Sequence, residues 1–190
     1  MDSGHARRFI DTPAAFVDAW RRMHRLFEHQ GATNVVWVWC PNASAFATGR
    51  AQSFYPGDDV VDWVCADGYN WSPLLPGGHA GGEWESFADI FEPFYRWALD
   101  SGKPIMIGET GAQEGAPGQK ADWIADMAAT LRTRFTRVRA LLYFNAIAGS
   151  NTGGVFDWRV ETSPSALRAF RSLAGEPYFR PSLRTSSLGP

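Results

Sequence analysis

The sequence predicts an α/β fold built on a parallel sheet, and three observations lead there. Four apolar runs rich in β-favouring residues alternate with amphipathic helical stretches along 190 residues. Such alternation implies right-handed βαβ crossovers. The runs are nearly unbroken in hydrophobicity, as in strands buried on both faces. Each run ends on a polar or aromatic group followed by a long loop, which is how barrel enzymes build sites at the C-terminal rim of their strands. A doubly wound sheet would also alternate, but neither GxGxxG nor a P-loop occurs.

The elements follow in order. Residues 13–30 read as a helix: Thr12 can cap it, Pro13 suits the first helical position, and Phe16, Trp20, Met23 and Phe27 share one face. Gly31 ends it. Asn34 to Cys40 reads as the first strand, closed by Pro41-Asn42. Val60 to Asp67 reads as the second, ending in Asp67-Gly-Tyr69-Asn-Trp71. A Gly/Pro-rich loop over 72–82 leads to a helix from Ser86 to Asp100, which Pro93 should break or kink. Gly102 closes that helix. Lys103 to Gly108 is the third strand, delivering Glu109-Thr-Gly111. A helix from about Gln119 to Phe135 turns Trp123, Ile124, Met127 and Leu131 inward, and Arg139 to Asn145 is the fourth strand. After a Gly-rich loop, Ser163-Pro164 starts a last helix carrying Leu167, Phe170 and Leu173. Residues 1–175 read as the folded part, and 176–190 as a frayed Pro/Ser-rich tail.

Composition narrows the function. A formal net charge of −2 gives no basis for electrostatic capture of nucleic acid or an anionic membrane. Residues 1–13 are polar, with no apolar stretch of signal-peptide kind, and no segment reaches membrane-spanning length. Cys40 and Cys65 lack metal-ligand spacing; they lie in runs read as neighbouring strands, where they could pair, but read first as buried free thiols. Aromatic residues make up 14% of the chain, including nine Trp. Trp37, Trp39 and Trp63 lie within strands and read as core; others can serve as flat platforms for sugar rings.

Gathered at one rim, the strand ends present Asn42, Asp67 with Tyr69 and Trp71, Glu109, and Phe144 with Asn145. There is no Ser–His pair, metal triad or Schiff-base lysine. Carboxylates beside aromatic platforms suit glycoside cleavage, which needs no cofactor. Glu109 ends the cleanest strand, although a strand-terminal acid also often caps a helix or pairs with Arg. Asp67 reads more readily as a structural acid bonding loop amides than as a catalytic one.

Six blocks then make a resemblance: Trp37-Val-Trp-Cys-Pro-Asn42, Tyr55-Pro-Gly-Asp58, Val61 to Trp71, Trp84-Glu-Ser-Phe87, Lys103 to Gly111 and Asp157-Trp-Arg159. Together they resemble, in order over roughly residues 12–173, the second half of the catalytic barrel of glycoside hydrolase family 26. That family consists mainly of β-mannanases, with some members acting on mixed-linkage β-glucan or β-xylan. The resemblance implies a TIM-type (β/α)8 architecture of which about four strands and four to five helices are present. It implies a retaining hydrolase in which Glu109 is the nucleophile, Tyr69 hydrogen-bonds that nucleophile, and Asp67 contacts the cleaved sugar. Trp71 would line the cleft, with Asn42 and Asn145 at its margin. Phe144 falls where many members carry Trp, and Thr110 where Phe is frequent. The family's acid/base Glu, in a His-Glu-Met-Asn setting, would lie upstream of the helix at 13–30, so the chain reads as a half without it. Glu83, Glu85 and Glu114 do not replace it. The expected partner is a β-linked polysaccharide, and a non-catalytic carbohydrate-binding half-barrel is the alternative. Family members act outside the cell. Open sheet edges would invite self-association, and a homodimer of this half would still lack the acid.

Overall fold

A computed structural model describes residues 12–72, 84–149 and 155–180. Helix α1, Pro13–His29, begins where expected: Thr12 Oγ1 accepts the Ala15 N–H at 3.2 Å and Pro13 occupies the first turn. Gly31, at φ 71°, turns the chain out of it. Strand β1 is only Val38–Trp39. The earlier part of the expected run is tied differently, because the Trp37 N–H goes to Asp62 Oδ2 at 2.7 Å instead of joining a ladder. Two single-turn helices, α2 (Ser44–Ala47) and α3 (Arg50–Ser53), fill the following segment.

Strands β2 (Trp63–Asn70), β3 (Ile105–Ala112) and β4 (Val138–Tyr143) complete a parallel sheet in the order β1-β2-β3-β4. Sequential order excludes the doubly wound alternative, which requires a reversal. β2 runs to Asn70 and β3 to Ala112, each past the expected end, because Gly68, Tyr69 and Asn70 pair with Thr110, Gly111 and Ala112. The polar strand ends are therefore held by the ladder and do not sit in loops.

Helices α4 (Phe87–Asp100), α5 (Gln119–Thr133) and α6 (Pro164–Gly175) pack on one face. Pro93 was expected to break or kink α4, yet α4 runs through it. Proline removes the bond to the Asp89 carbonyl, but Asp89 is exposed, and burial of Phe87, Ile90, Phe91, Phe94 and Tyr95 outweighs the lost bond. Alternation along β2 turns Val64, Ala66 and Gly68 toward the helices and Cys65, Asp67 and Tyr69 to the opposite face. The parity is explicit at Gly68, where a Cβ would lie 2.6 Å from Ile90 and 2.8 Å from Phe91.

Of the three tryptophans expected to be core, Trp39 is, while Trp37 and Trp63 are half-buried. Trp39 is fully buried against Phe46, Tyr55 and Trp97, with ring centroids 5.0–5.8 Å apart. Trp37 takes Trp20 and Phe27 of α1 at 5.5 and 5.3 Å. Trp39→Ala is expected to lower stability by about 3–5 kcal/mol, read as a shifted urea midpoint.

Two further expectations need correction. Cys40 and Cys65 are not free thiols but are joined as a disulfide. The register Trp39↔Val64 sets Cys40 directly opposite Cys65 on neighbouring strands, with their Cα atoms 4.3 Å apart. Residues 176–180 are not frayed: Pro177–Phe179 form a 3-10 turn, Tyr178 donates to the Leu131 carbonyl at 3.0 Å, and Glu176 pairs with Arg132. The loop expected at 72–82 and the tail from 181 lie largely or wholly outside the described residues.

Candidate active site at the strand ends

The position of Glu109 depends on one irregularity. Pairing runs Ala66↔Ile107 and then Asp67↔Glu109, so Gly108 is an extra residue in β3. In an unbroken strand, Glu109 would follow Ile105 and Ile107, both buried, toward the helices. The bulge turns it onto the face that carries Asp67 and Tyr69, the re-aiming that bulges provide beside sites. Only glycine fits there. A Cβ on Gly108 would lie 2.4 Å from Cys65 Sγ, 2.7 Å from Cys40 Sγ and 2.8 Å from Asp67 Oδ1.

Glu109 is exposed, and its Oε2 accepts the Tyr69 hydroxyl proton at 2.6 Å. Burial, and then this hydrogen bond, push the Tyr69 phenol well above its ordinary range, so it stays a donor. Asp67 is held from both sides: its N–H reaches the Pro41 carbonyl at 3.1 Å, and its carbonyl takes the Ala43 N–H at 2.8 Å. The same bridge brings Asn42 beside it. Burial, followed by repulsion from Glu109, raises the Asp67 carboxyl to about 7, against a pull downward from the Glu109 backbone N–H.

The sign of the linkage follows. The folded chain keeps a proton on Asp67 that the unfolded chain, with a carboxyl near 4, has released. The stability this provides is full below about pH 4 and is lost as pH rises through 7. Allowing for solvent screening, stability should fall by about 1–2 kcal/mol between pH 5 and pH 8. Urea midpoints across that range read the effect, and Asp67→Asn should flatten it.

Aromatic rings wall the site. Tyr69 meets Trp71 at 6.4 Å and Phe144 at 6.0 Å. Sequence reasoning missed two members of this wall, Phe156 and Trp158. Trp158 lies 4.6 Å from Tyr69 and 4.8 Å from Trp71, and Phe156 lies 4.9 Å from Trp71. Both residues arrive with an antiparallel hairpin, β5 (Ile147–Gly149) and β6 (Val155–Asp157), in what reads as a Gly-rich loop. The available signal was Ile147 on one side of a turn-rich stretch and Val155-Phe156 on the other.

Asn145 comes to the same end of the sheet, with its Oδ1 engaged by the Val160 N–H at 2.7 Å. Lys120 is fully buried and anchors the turn after the hairpin, donating to the Arg159 carbonyl at 2.7 Å and to Thr162 Oγ1 at 2.9 Å. Burial brings its ammonium down to about 8. Glu114 is occupied by Thr162, whose hydroxyl lies 2.6 Å from Oε1.

Of the residues expected from the sequence, the fold brings Tyr69, Glu109, Asp67, Trp71 and Phe144 together, with Asn42 adjoining through Asp67. An exposed carboxylate on a rigid strand, clamped by a phenol and flanked by ring faces, can attack or stabilise an electron-poor carbon in a ring-shaped ligand.

Known proteins are similar to this chain in sequence and in fold. The profile of glycosyl hydrolase family 26 matches residues 5–95. Over 173 residues, 90% of this chain and 18% of the relative, it is 34% identical to "Endoglucanase H" of Acetivibrio thermocellus. It is 30% identical over 105 residues, 55% of this chain, to "Mannan endo-1,4-beta-mannosidase A and B" of Caldalkalibacillus mannanilyticus, covering 17% of that protein. Among solved structures, a modular endo-beta-1,4-mannanase from Cellulomonas fimi superposes with a TM-score of 0.61 at 20% identity, over 87% of this chain and 36% of that one. A family 26 beta-mannanase from Bacteroides ovatus superposes with a TM-score of 0.56 at 17% identity, over 87% and 44%. The chain thus spans less than half of these structures and less than a fifth of the two curated relatives. The profile, the relatives and the fold together support a fragment of glycosyl hydrolase family 26, corresponding to a portion of that family's (β/α) barrel.

Proposed function

We propose that this chain is the nucleophile-bearing half of a retaining endo-glycoside hydrolase acting on a β-linked polysaccharide, with β-mannan the first substrate and β-glucan the second. The observation that supports it most directly is the 2.6 Å hydrogen bond from the Tyr69 hydroxyl to Glu109 Oε2. Glu109 attacks the anomeric carbon and forms a glycosyl-enzyme ester. Tyr69 fixes the attacking carboxylate, and Trp71 and Phe144 offer faces to the sugar rings. Asp67, protonated up to about pH 7, donates to a sugar hydroxyl below that pH and accepts above it.

Departure of the leaving oxygen needs a proton from a second carboxyl about 5–5.5 Å from the first. The resemblance assigns that acid to the fourth strand of a complete barrel, so this half alone does not turn over substrate. A groove of about 640 Å³ beside β4, lined by Val138, Leu141, Tyr143, Phe170 and Phe179, is where the complementary half would pack. The open edges of β1 and β4 are also where two copies could associate without gaining the acid. Action outside the cell follows from the family; among the described residues no helix is long and apolar enough to cross a membrane.

The test is to join the chain to the complementary half of a family relative and assay a panel of mannan, mixed-linkage β-glucan and xylan. Turnover by the joined protein but not by the 190-residue chain supports the proposal. Turnover by the chain alone overturns the half-site reading. Polysaccharide binding with no turnover in either form points to a non-catalytic binding module. Within the joined protein, Tyr69→Phe should lower kcat about 10- to 100-fold, the value of a hydrogen bond to a charged group, with KM little changed.

A further inference from the structure

Beneath Glu109, three donor atoms converge on space kept open by a missing side chain. Cys40 Sγ, Cys65 Sγ and an Asp67 carboxylate oxygen all lie within 4.8 Å of one another. Cys40 Sγ is 3.1 Å from Asp67 Oδ1. The point where Gly108 would carry a Cβ is 2.4, 2.7 and 2.8 Å from Cys65 Sγ, Cys40 Sγ and Asp67 Oδ1. The 25-residue separation of the cysteines hides the site from a spacing search; it arises only when β1 and β2 pair.

We propose that Cys40, Cys65 and Asp67 form a redox-gated site for one soft divalent cation, of the zinc or cadmium class. In the oxidised chain the sulfurs are joined to each other and the site is closed. A dithiol reductant opens it by giving two electrons and two protons to the Cys40–Cys65 bond, ending as a disulfide itself. The cation then displaces both thiol protons to solvent and is held by two thiolates and one carboxylate, a donor set that favours soft metals over magnesium or calcium. It sits just beyond the Gly108 Cβ point, away from the backbone. Cys65 is fully buried, while Cys40 and Asp67 are partly open, leaving an approach for the ion and a water. Occupancy ties Asp67 to the two sulfurs beside Gly108. This inference does not rest on the hydrolase reading, and its test involves no turnover.

The chain is reduced with a phosphine, freed of reductant without oxygen, and titrated with Cd²⁺ while the ultraviolet sulfur-to-cadmium charge-transfer band is followed. One equivalent per chain should bind to the reduced protein, and the oxidised protein should give no such band. Cys65→Ala should abolish the band, and Asp67→Asn should weaken binding by at least about tenfold. Gly108→Ala should also block uptake by filling the space, with circular dichroism confirming that each variant is folded. A reduced, folded wild-type chain that gives no band, or an Asp67→Asn variant of unchanged affinity, overturns the site.

Discussion

Glu109→Ala, placed in the joined barrel, is expected to reduce hydrolysis of its polysaccharide by about 10⁴-fold or more while leaving the fold intact. The size follows from the role proposed: removing a covalent nucleophile deletes a step and does not merely weaken one. The preserved fold follows from position. Glu109 is exposed, and its side chain contacts Tyr69 at the rim without filling the core. Circular dichroism and urea midpoints should therefore change by less than about 1 kcal/mol while turnover vanishes. Loss of activity with a parallel collapse of stability would instead mark Glu109 as a structural acid. Retention of activity would remove it from the mechanism.

Gly108→Ala should be damaging to a smaller degree and by a different route. The added methyl group would lie 2.4 Å and 2.7 Å from the two sulfurs and 2.8 Å from Asp67 Oδ1. None of these is the free end of a flexible chain, since the sulfurs are bonded to each other and Asp67 is held at its backbone on both sides. The strand must shift, at a cost of about 1–3 kcal/mol. Because Gly108 is the bulge residue that turns Glu109 onto the face carrying Asp67 and Tyr69, a displacement of about 1 Å there should lower kcat roughly 100-fold. Replacing both cysteines with Ala would remove two of the three clashes. The triple variant should regain part of the lost stability, and a mutant cycle of urea midpoints measures that coupling. Simple additivity would mean that the close approach at Gly108 does not limit the site.

The helices and the parallel sheet were legible because their signals are local. Thr12-Pro13 and Ser163-Pro164 start helices by their own chemistry, and burial on both faces leaves an apolar run without needing a partner to reveal it. Glu109, Tyr69 and Asp67 could be singled out because strand ends in a parallel sheet share one rim whatever their sequence separation. Three features were not legible, and each depends on pairing across strands. The bulge at Gly108 is a mismatch of register with β2 that β3 does not encode alone. The disulfide exists because Trp39 pairs with Val64 and so sets two cysteines opposite each other. Trp158 reads as part of a family motif, but its place against Tyr69 and Trp71 depends on the β5–β6 hairpin and on the turn that Lys120 anchors from α5. Pro93 failed as a breaker because the price of one backbone bond is small beside the apolar face that α4 buries.

Trapping the joined barrel with an activated 2-deoxy-2-fluoro glycoside and mapping the adduct by peptide mass spectrometry would identify the nucleophile. The role proposed for Glu109 requires one sugar per protein, esterified to Glu109, with trapping lost in Glu109→Ala. A sugar attached to any other carboxylate, or an active protein that accumulates no adduct, would contradict it.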